Sequence, residues 1–212
     1  YSNRLTWGIY EMRKITAGKL SKILKEHERW CDTGGDEGEK ADLEGADLSG
    51  ANLSCAILYR ANLIEAYLRK ADLSAAILGE AILEAADLSE ADLRGAILSQ
   101  ADLSEADLRG ANLRDAFLPD AYLPEAYLRK ADLSNAALYR ADLGGANLRE
   151  ADLHDANLSF ANLSYADLTQ VKNLSINQLS KAKTLYEAKL DPELKKQVRE
   201  KYPHLLEKPE YL

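Results

Sequence analysis

This chain is short of the residues from which chemistry is usually built. In 212 residues there are three histidines, two cysteines, two tryptophans, two phenylalanines and one methionine. His27, His154 and His204 are scattered, and no Cys-x-x-Cys, His-Glu-x-x-His, phosphate-binding loop or Gly-x-Ser-x-Gly pattern occurs. His154 stands beside Asp155 at a position that reads as a solvated face. Serines such as Ser74, Ser104 and Ser134 recur where a turn hydroxyl is the ordinary role. Nothing here converges as an active site must, so the chain is read as non-enzymatic, with no cofactor and no metal site. No apolar run is long enough to span a membrane, and none is flanked as a signal peptide is. A cytoplasmic protein is the expectation, with a leader removed upstream left open.

What is present is a lattice. Every fifth residue from Ala41 to Ala166 is alanine, and a leucine follows two residues after each, from Leu43 to Leu168. Residues 41–170 are thus 26 consecutive units of A-x-L-x-x. Alanine and leucine favour helix, but a period of five turns about 140° per step around a helix, so the leucines would spiral instead of forming one buried stripe. Within a unit Ala and Leu are two apart, the alternation of a short strand with both pointing in and the middle residue out. The last two positions hold turn-compatible residues, as in Ser49-Gly50 and Gly144-Gly145. A chain that extends, turns and repeats coils around a filled core, which is a solenoid.

The units Ala41-Asp42-Leu43, Ala51-Asn52-Leu53 and Ala101-Asp102-Leu103 resemble the consensus of the pentapeptide-repeat proteins. The resemblance implies an all-β solenoid, a right-handed quadrilateral β-helix with four units per coil. The array would then make about six and a half coils, a rod about 31 Å long at the strand spacing. Some members of that family bind DNA gyrase as DNA mimics and protect it from quinolones. The tail segments Ala182–Glu187 and Lys201–Leu206 are also similar to the C-terminal extension of cyanobacterial members.

A solenoid ends in raw apolar coils, so caps are required. Residues 1–40 are read as an N-terminal segment plus a capping helix. Leu20, Ile23, Leu24, Trp30 and Cys31 lie along one stripe of a helix from about Ala17 to Cys31, with Thr16 as N-cap and Gly34-Gly35 as stop. Residues 171–212 are read as a C-terminal helical cap. Ser175 to Gln178 fits a capping box, and Asp191-Pro192 an N-cap followed by proline; two short helices follow, the second ending near Pro203. Residues 1–11 carry no interpretable motif. Cys31 and Cys55 fall in the lid and the first coil, either as reduced thiols or as a disulfide tying the two together.

Acidity is confined to the array. Residues 41–170 hold 22 acidic and 10 basic side chains, a net of −12, whereas the flanks are +1 and +3. That is one net charge per roughly 2.6 Å, against one per about 1.7 Å on duplex DNA. Direct nucleic-acid binding is disfavoured, while mimicry of DNA toward a gyrase-type enzyme becomes the alternative function. Against it, Asp or Asn at the second position belongs to the repeat consensus, and no loop interrupts the array. Arg69, Arg94, Arg109, Arg114, Arg129 and Arg149 at fourth positions are placed to relieve repulsion between stacked carboxylates.

With four units per coil, residues 20 apart share a face. One face reads Ile57, Ile77, Ile97, Phe117, Ala137, Asn157, while the others are mostly Asp and Asn. Three readings compete for this stripe. Its side chains tilt over their neighbours within the face; or the segment bearing Trp7, Tyr10 and Trp30 folds back over it; or it binds protein, extended by Tyr122 and Tyr127 with Pro119 and Pro124. The expected function is a rigid scaffold that displays this surface to a protein partner of unknown identity. The rod is expected to be a monomer, with a dimer through the stripe as the alternative.

Overall fold

The computed structural model describes residues 13–210. Its centre is a coil in which parallel bridges join residues 20 apart, from Asp42 with Asn62 through Ile57 with Ile77 to Asp152 with Lys172. Four five-residue units therefore make one turn, and each turn lies on the one before it. The strands are so short that most are single bridges, and the fold is better understood from its hydrogen bonds.

A typical unit with Asp or Asn at its second position accounts for all five of its N–H groups. In the first coil the Leu43 N–H donates to the Asn62 carbonyl above (2.7 Å), and the Asn62 N–H donates down to Ala41 (2.9 Å). At the corner, the Gly45 N–H donates up to Ile64 (2.9 Å), and the Ala46 N–H closes a turn onto Leu43 (3.1 Å). Only the fourth position lacks a main-chain acceptor, and the second-position side chain supplies one: Glu44 N–H to Asp42 Oδ1, Ser74 N–H to Asp72 Oδ1, Ser104 N–H to Asp102 Oδ1. Aspartate and asparagine recur there because their short side chains bond the backbone two residues on.

The fifth position of every unit, from Gly45 to Gln170, lies in the left-handed region, with φ between 51° and 70°. This is the positive φ that the third residue of a type II turn requires. Only Gly45, Gly50, Gly95, Gly110 and Gly145 are glycine among these; the rest are residues such as Glu65, Arg140 and Phe160. Each non-glycine residue there costs about 1 kcal/mol or more, and the turn bond plus the bond to the next coil hold it.

Inside, every array leucine is buried, and every first-position alanine except Ala51 and Ala56, which are half-buried on the first coil. Helix α1, Ala17–Asp32, packs Leu20, Ile23 and Leu24 against this core. Its N-cap Thr16 accepts the Lys19 N–H. Ahead of it, the two-residue strand β1, Arg13–Lys14, pairs in parallel beneath β2, Ala46–Asp47.

At the other end the pairing continues beyond the lattice that ends at residue 170. Lys172 bridges Asp152 and Thr184 bridges Asn162. Strand β3, Asp167–Leu168, pairs with β4, Lys189–Leu190, after an excursion through the four-residue helix α2, Ile176–Leu179. Ala182 to Leu190 thus continues the coil with a register of 22 instead of 20, and Glu187 takes the left-handed corner. Helix α3, Pro192–Lys201, and a 3-10 turn, Pro203–Leu206, follow, burying Val198 and Leu205. Asp191 precedes α3 but does not cap it; its carboxylate accepts the Gln170 N–H instead, at 3.0 Å to the nearer oxygen.

Candidate functional site

The register stacks Ile57, Ile77, Ile97, Phe117, Ala137 and Asn157 in one column, joined by successive bridges. Exposure rises from Ile57 to Phe117: Ile57 is half-buried, Ile77 and Ile97 are 37% and 39% exposed, and Phe117 is 49% exposed. Tyr122 and Tyr127 lie at the start of the next coil, Tyr122 on the face beside the column and Tyr127 on the face opposite it, each about half exposed. Trp7 and Tyr10 lie outside the described residues. Trp30 is not on the stripe, because its ring stacks on His27 with centroids 5.6 Å apart.

The prolines near this band answer a backbone problem. Phe117 and Tyr122 occupy second positions, where Asp or Asn would accept the fourth-position N–H. Their fourth positions are Pro119 and Pro124, which have no N–H to satisfy. Proline also suits the second residue of the turns Leu118 to Ala121 and Leu123 to Ala126. Aromatic display and corner closure are thereby made compatible.

Two residues enlarge the band that the period-20 columns do not include. Tyr139, at a fourth position, meets Phe160, at a fifth position one coil above, edge to face at 5.6 Å, and Phe160 is 59% exposed. An aromatic residue in a left-handed corner projects outward with no core to enter. A count of aromatics at fourth and fifth positions would have found both.

The acidic faces are already heavily engaged. Arg94 and Arg109 bind the aspartates of their own units, Asp92 and Asp107, while Arg69 and Arg129 reach up a coil to Glu90 and Glu150. Arg114 lies 3.6 Å from Asp132, and Arg149 donates to Gln170. The Arg94 guanidinium holds the Asp92 carboxyl below its usual range. The Ser74 hydroxyl and N–H do the same for Asp72. Tyr59 donates to Glu80 at 2.6 Å, which raises the phenol and, together with Arg60, lowers the carboxyl.

Beneath the first coil, His27 is fully buried. Its Nδ1 accepts the Ala41 N–H at 3.0 Å. Burial lowers its pKa, with Lys40 acting in the same direction. Cys31 lies 3.7 Å from the other ring nitrogen, and its thiol is pushed up by burial. Cys31 and Cys55 are both free thiols, and Cys55 is exposed. His27 completes the α1 stripe between Leu24 and Trp30; the helical period has a gap there that only this histidine fills. Between α1 and the first coil runs a groove of about 830 Å³, lined among others by Leu20, Leu24, Ala51, Asn52, Cys55 and Ile57. Among the described residues no group of three His, Cys, Asp or Glu could hold a metal ion, and no helix is long and apolar enough to cross a membrane.

Residues 41–79, 66–104, 106–144 and 136–172 match the family model of pentapeptide repeats. No curated protein matches the chain. Solved structures similar to it include HetL, a pentapeptide repeat protein involved in heterocyst differentiation regulation from the cyanobacterium Nostoc sp. strain PCC 7120. It is 33% identical, over 84% of this chain and 81% of HetL, with a TM-score of 0.41. Rfr23, from the cyanobacterium Cyanothece 51142, is 40% identical over 45% of this chain and 60% of its own, with a TM-score of 0.36. Full-length QnrB1, a plasmid-mediated fluoroquinolone resistance protein, is 21% identical over 73% of this chain and 88% of its own, with a TM-score of 0.33.

Proposed function

The chain belongs to the pentapeptide-repeat family, and from that membership we propose that it is a non-catalytic rigid module that binds a protein through its apolar stripe. As in that family, the coil is a right-handed quadrilateral β-helix. We read the array as about six and a half coils, with α1 and the C-terminal helices as lids. The observation that carries the proposal is the continuous column from Ile57 to Phe117, widened by Tyr122 on the adjoining face, on a rod whose other faces are mostly Asp and Asn. Such a rod loses little conformational entropy when it docks, and aromatic residues are the usual anchors of protein interfaces. The carboxylates on either side favour a partner with an apolar face and a basic margin.

The test is a paired pull-down with the intact chain and with Ile77→Asp/Ile97→Asp. A partner that is captured by the first, lost by the second and released by salt supports the proposal, provided both proteins melt alike. Identical partners would remove it, and a change in oligomeric state would replace it with a dimer through the stripe. The rival reading, DNA mimicry of a gyrase-type enzyme, is disfavoured because second-position carboxylates are committed to their own corner N–H groups and many are paired with arginine. Inhibition of supercoiling by the intact chain would reverse that preference.

A further inference from the structure

The lower edge of the first coil is closed at two places and open at a third. Beneath its second face, β1 pairs in parallel with Ala46–Asp47, so a strand from outside the array already fills the position of a coil below. Where the first face begins, His27 takes the Ala41 N–H. After Lys14 the chain turns away through Ile15 into α1. In every higher coil the second-position N–H donates down to an alanine carbonyl and its C=O accepts from the leucine N–H below, as at Asp72 and Ile77. Asn52 and Ile57, the corresponding residues of the first coil's third and fourth faces, have no such lower partner among the described residues.

This open edge borders the groove of about 830 Å³ under α1. The groove is also where the core is incompletely covered, since Ala51 and Ala56 are the two first-position alanines left half-buried. Main-chain donors and acceptors in strand register, next to half-covered apolar side chains, are the two requirements for adding a strand. A water-filled groove could satisfy the polar groups but not the alanines.

We propose that the groove between α1 and the first coil binds an extended peptide segment of a partner protein. The segment adds as a parallel strand beneath Asn52 and Ile57 and turns alternate apolar residues up against Ala51 and Ala56. This site meets the apolar stripe only at Ile57 and does not depend on the function assigned to it. The preferred sequence has a small residue and a larger aliphatic residue two apart, the pattern that each coil presents to the next.

Cys55 lines the groove and is exposed, so its reaction with a maleimide reports occupancy. The probe is a ten-residue synthetic peptide copying residues 71–80, the segment that lies on this face one coil higher. In the full chain carrying Cys31→Ser, peptide at about ten times its Kd should slow Cys55 labelling about tenfold. A version of the peptide N-methylated at the positions of Leu73 and Leu78 should leave labelling unchanged, because a strand lying beneath the coil donates upward through its third-position amides, as Leu53 and Leu58 do to Asp72 and Ile77. Equal protection by the two peptides would show binding without strand addition and overturn the proposal. Absence of protection at millimolar peptide would overturn it as well. The Ile77→Asp/Ile97→Asp chain should bind the probe normally, so failure here and failure of the stripe are read separately.

Discussion

His27 Nδ1 accepts the Ala41 N–H at 3.0 Å, and through that bond the buried face of α1 is joined to the residue that opens the array. The acceptor nitrogen must be unprotonated, so the imidazole is neutral with its proton on Nε2. Protonation would turn the acceptor into a donor facing a donor and would bury a charge near Lys40.

Because burial lowers the His27 pKa, the unfolded chain takes up a proton at higher pH than the folded one. Its contribution to stability is therefore complete above the unfolded value near 6.5 and is lost as pH falls from there toward the folded value. The slope in that window is at most about 1.4 kcal/mol per pH unit. Urea unfolding of the natural chain and of His27→Gln between pH 7.5 and 5 should show the difference between them shrinking with acidity. A constant difference would mean that His27 does not titrate on unfolding.

The left-handed corners predict a contrast between two glycines. A Cβ at Gly95 (φ 64°) meets nothing within 4 Å, so Gly95→Ala carries only the backbone cost and should lose about 1 kcal/mol. At Gly38 (φ 79°) a Cβ would sit 2.2 Å from the Glu26 carbonyl and 2.7 Å from the Trp30 nitrogen. Gly38→Ala must push the return segment off α1, and its melting temperature should fall well below that of Gly95→Ala. Equal losses would show that the segment from Thr33 to Lys40 yields freely.

These corners also mark where sequence reasoning stopped. The Ala and Leu lattice made the coil, its inward faces and its period of 20 legible, because burial alternates with side-chain direction. The positive φ at every fifth residue was not legible, since glycine, its usual sign, stands at only five of those positions and Glu, Lys, Arg and Phe fill others. The continuation through Ala182 to Leu190 was hidden for a related reason: the α2 excursion breaks the count of five although the pairing resumes. At the surface, the column from Ile57 to Phe117 followed from arithmetic, whereas Phe160 and the open edge at Asn52 depend on corner geometry and on where β1 ends.

The second-position aspartates act as corner acceptors as well as charges. Asp102 Oδ1 accepts both the N–H and the hydroxyl of Ser104, at 3.0 and 2.6 Å. Asp102→Asn keeps an acceptor oxygen and should change stability little, whereas Asp102→Ala removes it and should cost about 1 kcal/mol. Thermal unfolding of both variants decides the matter: an equal loss would assign the effect to charge, and no loss in either would assign the corner to solvent.

At the far end Gln178 does for the last regular coil what His27 does for the first. Its Nε2 donates to the Leu153 carbonyl at 2.7 Å and to Ala156 at 3.1 Å, while its Oε1 accepts the Ser175 N–H in the capping box. Gln178→Glu preserves the capping-box acceptor but sets a carboxylate against two carbonyls, so it separates the two roles. If closure of the coil is the larger role, Gln178→Glu should lose about 1–3 kcal/mol, the cost of leaving part-buried polar groups unmatched. Ser175→Ala, which removes only the hydroxyl cap of a four-residue helix, should lose about 1 kcal/mol or less. Amide exchange at Lys172, whose N–H bonds the Ala151 carbonyl in the same coil, should accelerate in Gln178→Glu and not in Ser175→Ala. The reverse order would place the stabilisation in α2 and not in the coil it covers.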